Sequence, residues 1–156
     1  MKIVFCDIDG VLNNPGCYSR RTANGTPADP KCIAALNRIL QATGARIVLS
    51  STWRIDGMEF CNDRFAEWGV VAAIFDVTPQ LDFSPRGHEI DAWLKACEEE
   101  IEAFVILDDT ANMYPHLDRL ILTEESCGLT EEDADRAIAI LLGAGCNPAV
   151  TGIVRT

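Results

Sequence analysis

Long apolar runs are missing from this chain. Nothing approaches the roughly 20 residues that cross a bilayer, the longest candidates being residues 101–107 and 137–145, so no membrane span is expected. Histidine is scarce, with His88 and His116 alone, and the seven cysteines contain no CxxC pair. A zinc site and a disulfide framework are therefore disfavoured. Cys6, Cys17, Cys32, Cys61, Cys97, Cys127 and Cys146 are expected as reduced, buried or half-buried small residues of a cytoplasmic protein. Positive charge is short as well, with 13 Lys and Arg against 24 Asp and Glu and a formal net charge of −11. Such a surface repels polyanions unless cations gather in one place. Extended nucleic-acid binding is thus disfavoured, whereas a small phosphorylated molecule or the end of a strand stays compatible. The opening MKIVFCDIDG is broken by Asp7 and Asp9, and no small-residue cleavage site follows. No secretory signal is expected.

What is present is an ordinary globular composition, 48% hydrophobic and 24% charged, in 156 residues. That length suits one domain with a proper core, and no internal repeat or linker interrupts it. Residues 2–6, 46–49 and 103–107 are short β-rich apolar runs, each followed at once by polar residues, the pattern of buried strands whose ends reach a polar site. A strand is also expected within 70–77 and a last short one at 120–122. Helices are expected over 30–43, with Asp29 as N-cap, Pro30 at the first position and Gly44 as stop, over 58–68 ended by Gly69, over 86–100, and over 129–142, opened by Thr130 with Asp133 three residues on. Residues 13–30, rich in Asn, Gly, Pro and Thr, read as a long loop or small hairpin, and residues from 143 on form a weakly patterned tail. Alternating strands and helices predict an α/β fold, a three-layer Rossmann-like parallel sheet with helices on both faces.

Three strand ends carry the chemistry: Asp7 and Asp9, then Ser50, then Asp108 and Asp109. In open parallel sheets the ligand site lies outside the carboxyl ends of the strands, so these clusters should meet in one crevice. One strand-end Asp-Gly alone is usually only a turn; three such clusters in order point to a site. Four carboxylates together raise one another's pKa unless a divalent cation holds them ionised, and hard oxygen donors suit magnesium.

At this point a family resemblance enters. Residues 5–12, FCDIDGVL, resemble the DxDGxL/V/T signature of haloacid dehalogenase-like (HAD) hydrolases. Residues 47–50, IVLS, are similar to the second motif of that superfamily, with Ser51 as a neighbouring alternative to Ser50. Arg86 is similar to the third, a cation before a helix, and residues 105–109, VILDD, to the fourth. The resemblance runs from residue 2 to about 142. It implies a phosphatase in which Asp7 attacks phosphorus to form an aspartyl-phosphate and Asp9 protonates the leaving group and later activates water. It implies further that Ser50 holds a phosphoryl oxygen and that Arg86 stabilises charge. Mg2+ would be bound by the Asp7 carboxylate, the Asp9 main-chain carbonyl and Asp109, with Asp108 acting through water or from behind and Asn112 as an outer contributor.

Residues 13–30 are too short for a separate cap domain, so an open site under a small flap is expected, within which Arg20 and Arg21 either reach the substrate or stay solvated. Gly10, Ser51, Trp53 and Arg54 are the further substrate-binding candidates, Trp53 as either a base platform or a core residue. Residues 50–54, SSTWR, and 86–90, RGHEI, resemble the compact HAD domains of nucleic-acid repair proteins. That implies a nucleotide or terminal-phosphate substrate, with a sugar phosphate as the alternative. A non-turnover receiver-like domain would need its phosphoacceptor at the end of the middle strand, which on this reading ends in Ser50.

Overall fold

The computed structural model describes residues 1–143. Cys146 and the tail beyond Gly143 lie outside the described residues. Five strands, β1 (Lys2–Cys6), β2 (Arg46–Leu49), β3 (Ile74–Val77), β4 (Ala103–Asp108) and β5 (Leu120–Leu122), form one sheet in the order β3-β2-β1-β4-β5. All four pairings are parallel. The chain steps outward from β1 to β2 and β3, then returns to the other side of β1 as β4. That reversal makes the carboxyl ends of β1 and β4 the natural crevice. The strand at the centre of the sheet is therefore β1, which leads into Asp7, and not β2, which leads into Ser50. Order along the chain misplaced the middle strand.

Alternation along β1 divides the core. Val4 and Cys6 face one side with Ile47, Leu49, Val105 and Leu107, while Ile3 and Phe5 face the other with Val48 and Ile106, as a period of two requires. The first side is covered by α2 (Pro30–Thr43), α3 (Met58–Trp68) and α5 (Glu131–Leu141), whose buried residues join that cluster. The second is covered by α4 (Arg86–Ala96) through Ile90 and Trp93. The result is the three-layer α/β arrangement. No helix among the described residues is long and apolar enough to cross a membrane, and the six described cysteines are free thiols.

Local signals set most boundaries. The Asp29 side chain accepts from the Lys31 amide and Gly44 ends α2 at φ 68°; Thr130 and Asp133 form a reciprocal capping box at the start of α5. Three elements are shorter than expected, α5 spanning Glu131–Leu141. β3 begins only at Ile74, and α4 stops at Ala96, with Cys97 extended, because continuing it would stack Glu98, Glu99 and Glu100 on the negative end of the helix dipole. Residues 13–30 hold a one-turn helix, α1 (Pro15–Tyr18), and a tight loop bridged between Thr22 and Gly25. This is a flap rather than a cap domain.

Candidate active site

Asp7 follows β1 directly and keeps its backbone in the sheet, its N–H donating to the Leu107 carbonyl at 3.0 Å. The residue is only 7% exposed. Oδ1 accepts from the Ile8 amide at 2.8 Å, and Oδ2 lies 3.0 Å from Arg86 Nη1. The same Nη1 sits 2.8 Å from Asp108 Oδ2, so Arg86 bridges the ends of β1 and β4. As the first residue of α4 it places a cation at the positive end of a helix, which is unfavourable alone. The two carboxylates supply the compensation and hold its pKa above the ordinary value.

Asp108 is fully buried. Besides Arg86 it accepts from the Thr110 amide and hydroxyl at 3.0 and 2.9 Å, so both its oxygens are engaged. Asp109 is half-buried, and its Oδ2 would lie 2.2 Å from a Cβ built on Gly10, where φ is 79°. Only glycine fits beneath that carboxylate. One oxygen each of Asp7, Asp108 and Asp109 lie within 4.8 Å of one another, so the three could hold a metal ion. Burial, then the Asp108 charge, pushes the Asp7 carboxyl up to about 7 against the pull of Arg86, and burial and Asp108 likewise raise Asp109. Crowded hard oxygens whose ionised form is penalised are the chemistry a divalent cation relieves. The Asp9 carbonyl oxygen, accepting no hydrogen bond among the described residues, remains available to such an ion.

The Asp9 side chain is exposed but not loose. Trp53 Nε1 donates to Oδ2 at 2.9 Å, and Asn13 Nδ2 donates to Oδ1 at 2.9 Å. Asn13, fully buried, also accepts from the Gly10 amide at 3.0 Å, so the N–H of Gly10, a substrate-binding candidate, is already committed.

Several expected contacts fall elsewhere. Ser51, not Ser50, is the hydroxyl that acts on the Asp7 carboxylate, drawing its pKa down. Ser51 is extended (φ −150°, ψ 152°), so adjacent side chains point to opposite sides, and Ser50 Oγ is buried without a partner among the described residues. The Trp53 ring packs against Phe60 and Trp68 at centroid distances of 6.4 and 5.7 Å and meets the flap backbone at Gly25; it is largely a structural ring with its N–H on Asp9. Arg54 is paired with Glu89 at 2.9 Å, the two side chains 9% and 6% exposed, so its charge is spent inside the protein. Arg20 turns back to the Cys17 sulfur at 3.6 Å, whereas Arg21 lines a cavity of about 720 Å³ between the flap and Trp53. A second cavity of about 500 Å³ holds Asp7, Asp9, Arg54, Arg86, Asp109 and Asn112. Asp9 and Thr52 line both.

Asn13, Glu89 and Thr110 were missed by the sequence reading. Glu89 alone had a signal: at three residues from Arg86 on one helix it must share that residue's face. Tyr18, on the flap, approaches the same centre: burial and then Glu125, Asp9 and Asp109 raise its hydroxyl pKa.

The sequence family described as the HAD domain in Swiss Army Knife RNA repair proteins matches residues 3–134. Among the curated proteins compared with the chain, none matches.

Proposed function

Because the chain belongs to the family of the HAD domain in Swiss Army Knife RNA repair proteins, we propose that it is a Mg2+-dependent phosphomonoesterase that removes a terminal phosphate from an RNA end. The observation that carries this reading is the Asp7 carboxylate, buried, held by the Ile8 amide, and facing the Arg86 guanidinium at 3.0 Å. A carboxylate so held is a nucleophile in place, beside a cation suited to a phosphoryl oxygen.

In the proposed reaction an Asp7 oxygen forms a bond to phosphorus while the bond to the leaving oxygen breaks, and Asp9 gives that oxygen its proton. Water then attacks the aspartyl-phosphate, Asp9 takes a proton from it, and inorganic phosphate leaves with Asp7 regenerated. Asp9 keeps its bond from Trp53 while its carboxyl meets the leaving oxygen, so the indole sets where the acid stands. Ser51 and Arg86 hold phosphoryl oxygens, and Asp108 orients Arg86 through Oδ2. A magnesium ion held by Asp7, Asp109 and the Asp9 carbonyl would neutralise negative charge on the transferring group. Asp108, whose oxygens are engaged by Arg86 and Thr110, acts from behind.

The net charge of −11 limits recognition to the terminus. The test is kcat/KM for oligoribonucleotides bearing a 3′- or 5′-phosphate, for nucleotides and for sugar phosphates, with Mg2+ and in chelator. Metal-dependent turnover of an RNA end, little gain beyond a few nucleotides and a shallow salt dependence are expected. Preference for sugar phosphates would overturn the substrate assignment. An Asp7→Asn protein that kept more than about a tenth of the rate would overturn the nucleophile.

A further inference from the structure

The loop between β3 and α4 carries an aromatic ring that does nothing for the fold. Phe83 is fully exposed, at 108% of its reference area, and its φ is 59°, a left-handed conformation in which a bulky residue is strained. Ser84 N–H closes a turn on the Leu81 carbonyl at 3.3 Å, with Phe83 at the third position, where glycine or asparagine sits comfortably. The turn is anchored. Leu81 N–H donates to Glu89 Oε2 at 2.8 Å, the oxygen that also pairs with Arg54 at 2.9 Å. A strained, solvated ring is thus held by a buried ion pair, and it lines the cavity that contains Asp7, Asp9 and Arg86.

We propose that Phe83 is the platform on which the base of the phosphate-bearing nucleotide stacks, an assignment that rests on the RNA-end reading of the site. Trp53, the aromatic candidate taken from the sequence, is occupied by Asp9, Phe60 and Trp68. Asp82, exposed beside Phe83 and lining the same cavity, repels a second phosphate from this wall and favours an uncharged group. A flat ring accepts every base, so the platform separates nucleotides from other phosphomonoesters without separating one base from another.

The experiment compares wild type, Phe83→Ala and Phe83→Trp on three substrates: a short oligoribonucleotide with a terminal phosphate, the same oligonucleotide with an abasic terminal residue, and glycerol phosphate. Phe83→Ala should lose about five- to a hundredfold in kcat/KM on the base-bearing end, chiefly through KM. Phe83→Trp should retain activity, and glycerol phosphate should be hydrolysed equally by all three proteins. The abasic end should be poor for wild type and indifferent to Phe83→Ala. An unchanged melting temperature for Phe83→Ala, and a raised one for Phe83→Gly as the turn relaxes, are expected with these results. Equal losses on all three substrates, or none on the base-bearing end, would overturn the platform while leaving the phosphatase standing. Failure of wild type to hydrolyse any of the three would overturn both.

Discussion

The indole N–H of Trp53 donates to Asp9 Oδ2 at 2.9 Å, across 44 residues of chain. A ring wedged among Phe60, Trp68 and Gly25 thereby fixes the direction of an exposed carboxylate. Trp53→Phe keeps most of the packing and removes the donor. A hydrogen bond to a charged group contributes about 1.5–3 kcal/mol, so kcat should fall on the order of tenfold or more while the melting temperature changes little. Steady-state kinetics and thermal unfolding of the same preparation check both halves.

The acid pKa of Asp7 gives a pH dependence whose sign is fixed. Its folded value of about 7 lies above the ordinary 3.8, first through burial and then through Asp108. The stability this group contributes is therefore full below about pH 4 and lost as pH rises through 7. In chelator, unfolding free energy should decline across that window by on the order of a few kcal/mol. Added Mg2+ binds the ionised form, so its apparent affinity should rise about tenfold per pH unit up to 7 and level off above it. Denaturant titrations with and without Mg2+ at pH 5, 6, 7 and 8 measure this; pH-independent affinity would contradict it.

Gly10 has φ 79°, and a Cβ there would meet Asp109 Oδ2 at 2.2 Å and Cγ at 2.6 Å. Gly10→Ala should displace Asp109 rather than merely strain the turn. A stability loss of about 1–3 kcal/mol is expected together with an at least tenfold weaker apparent Mg2+ affinity, so that more Mg2+ is needed in activity titrations. A stability loss with unchanged metal dependence would show that the carboxylate had not moved.

Arg54 and Glu89 form a buried pair, and Arg54 Nε has no partner among the described residues. Removing one member leaves the other charged in the interior, at a cost of about 3–5 kcal/mol. Glu89→Gln should therefore destabilise far more than the double replacement Arg54→Met with Glu89→Leu. Urea unfolding of the wild type and these two variants provides the comparison.

Sequence made visible whatever is decided locally. Asp29 and Gly44 bound α2 through their own capping geometry, and the β-rich runs before Asp7, Ser50 and Asp108 announced strands that end at one edge. Asp7, Arg86, Asp108 and Asp109 meet there because parallel pairing aligns those ends. Choices made across space were not visible. Whether Ser50 or Ser51 faces Asp7 depends on the phase of the extended chain beyond β2. Arg54 looked free because its partner lies 35 positions away. Arg20 and Arg21 are neighbours that diverge, one to Cys17 and one to the flap cavity. The central place of β1 is likewise a property of the order of strands in space.

That central place has a dynamic consequence. β1 is paired on both edges, with β2 and β4, and the amides of Asp7 and Ser50 extend the ladder one step beyond the strands, to the Leu107 and Cys6 carbonyls at 3.0 and 2.9 Å. Exposing the Asp7 amide to solvent requires opening the middle of the sheet, so its deuterium uptake should track global unfolding. The Thr22 and Gly25 amides, bonded only to each other's carbonyls across a surface turn, should exchange by local fraying at a far lower opening free energy. The loop around Thr22 and Gly25 can therefore open while the Asp7 backbone stays in place.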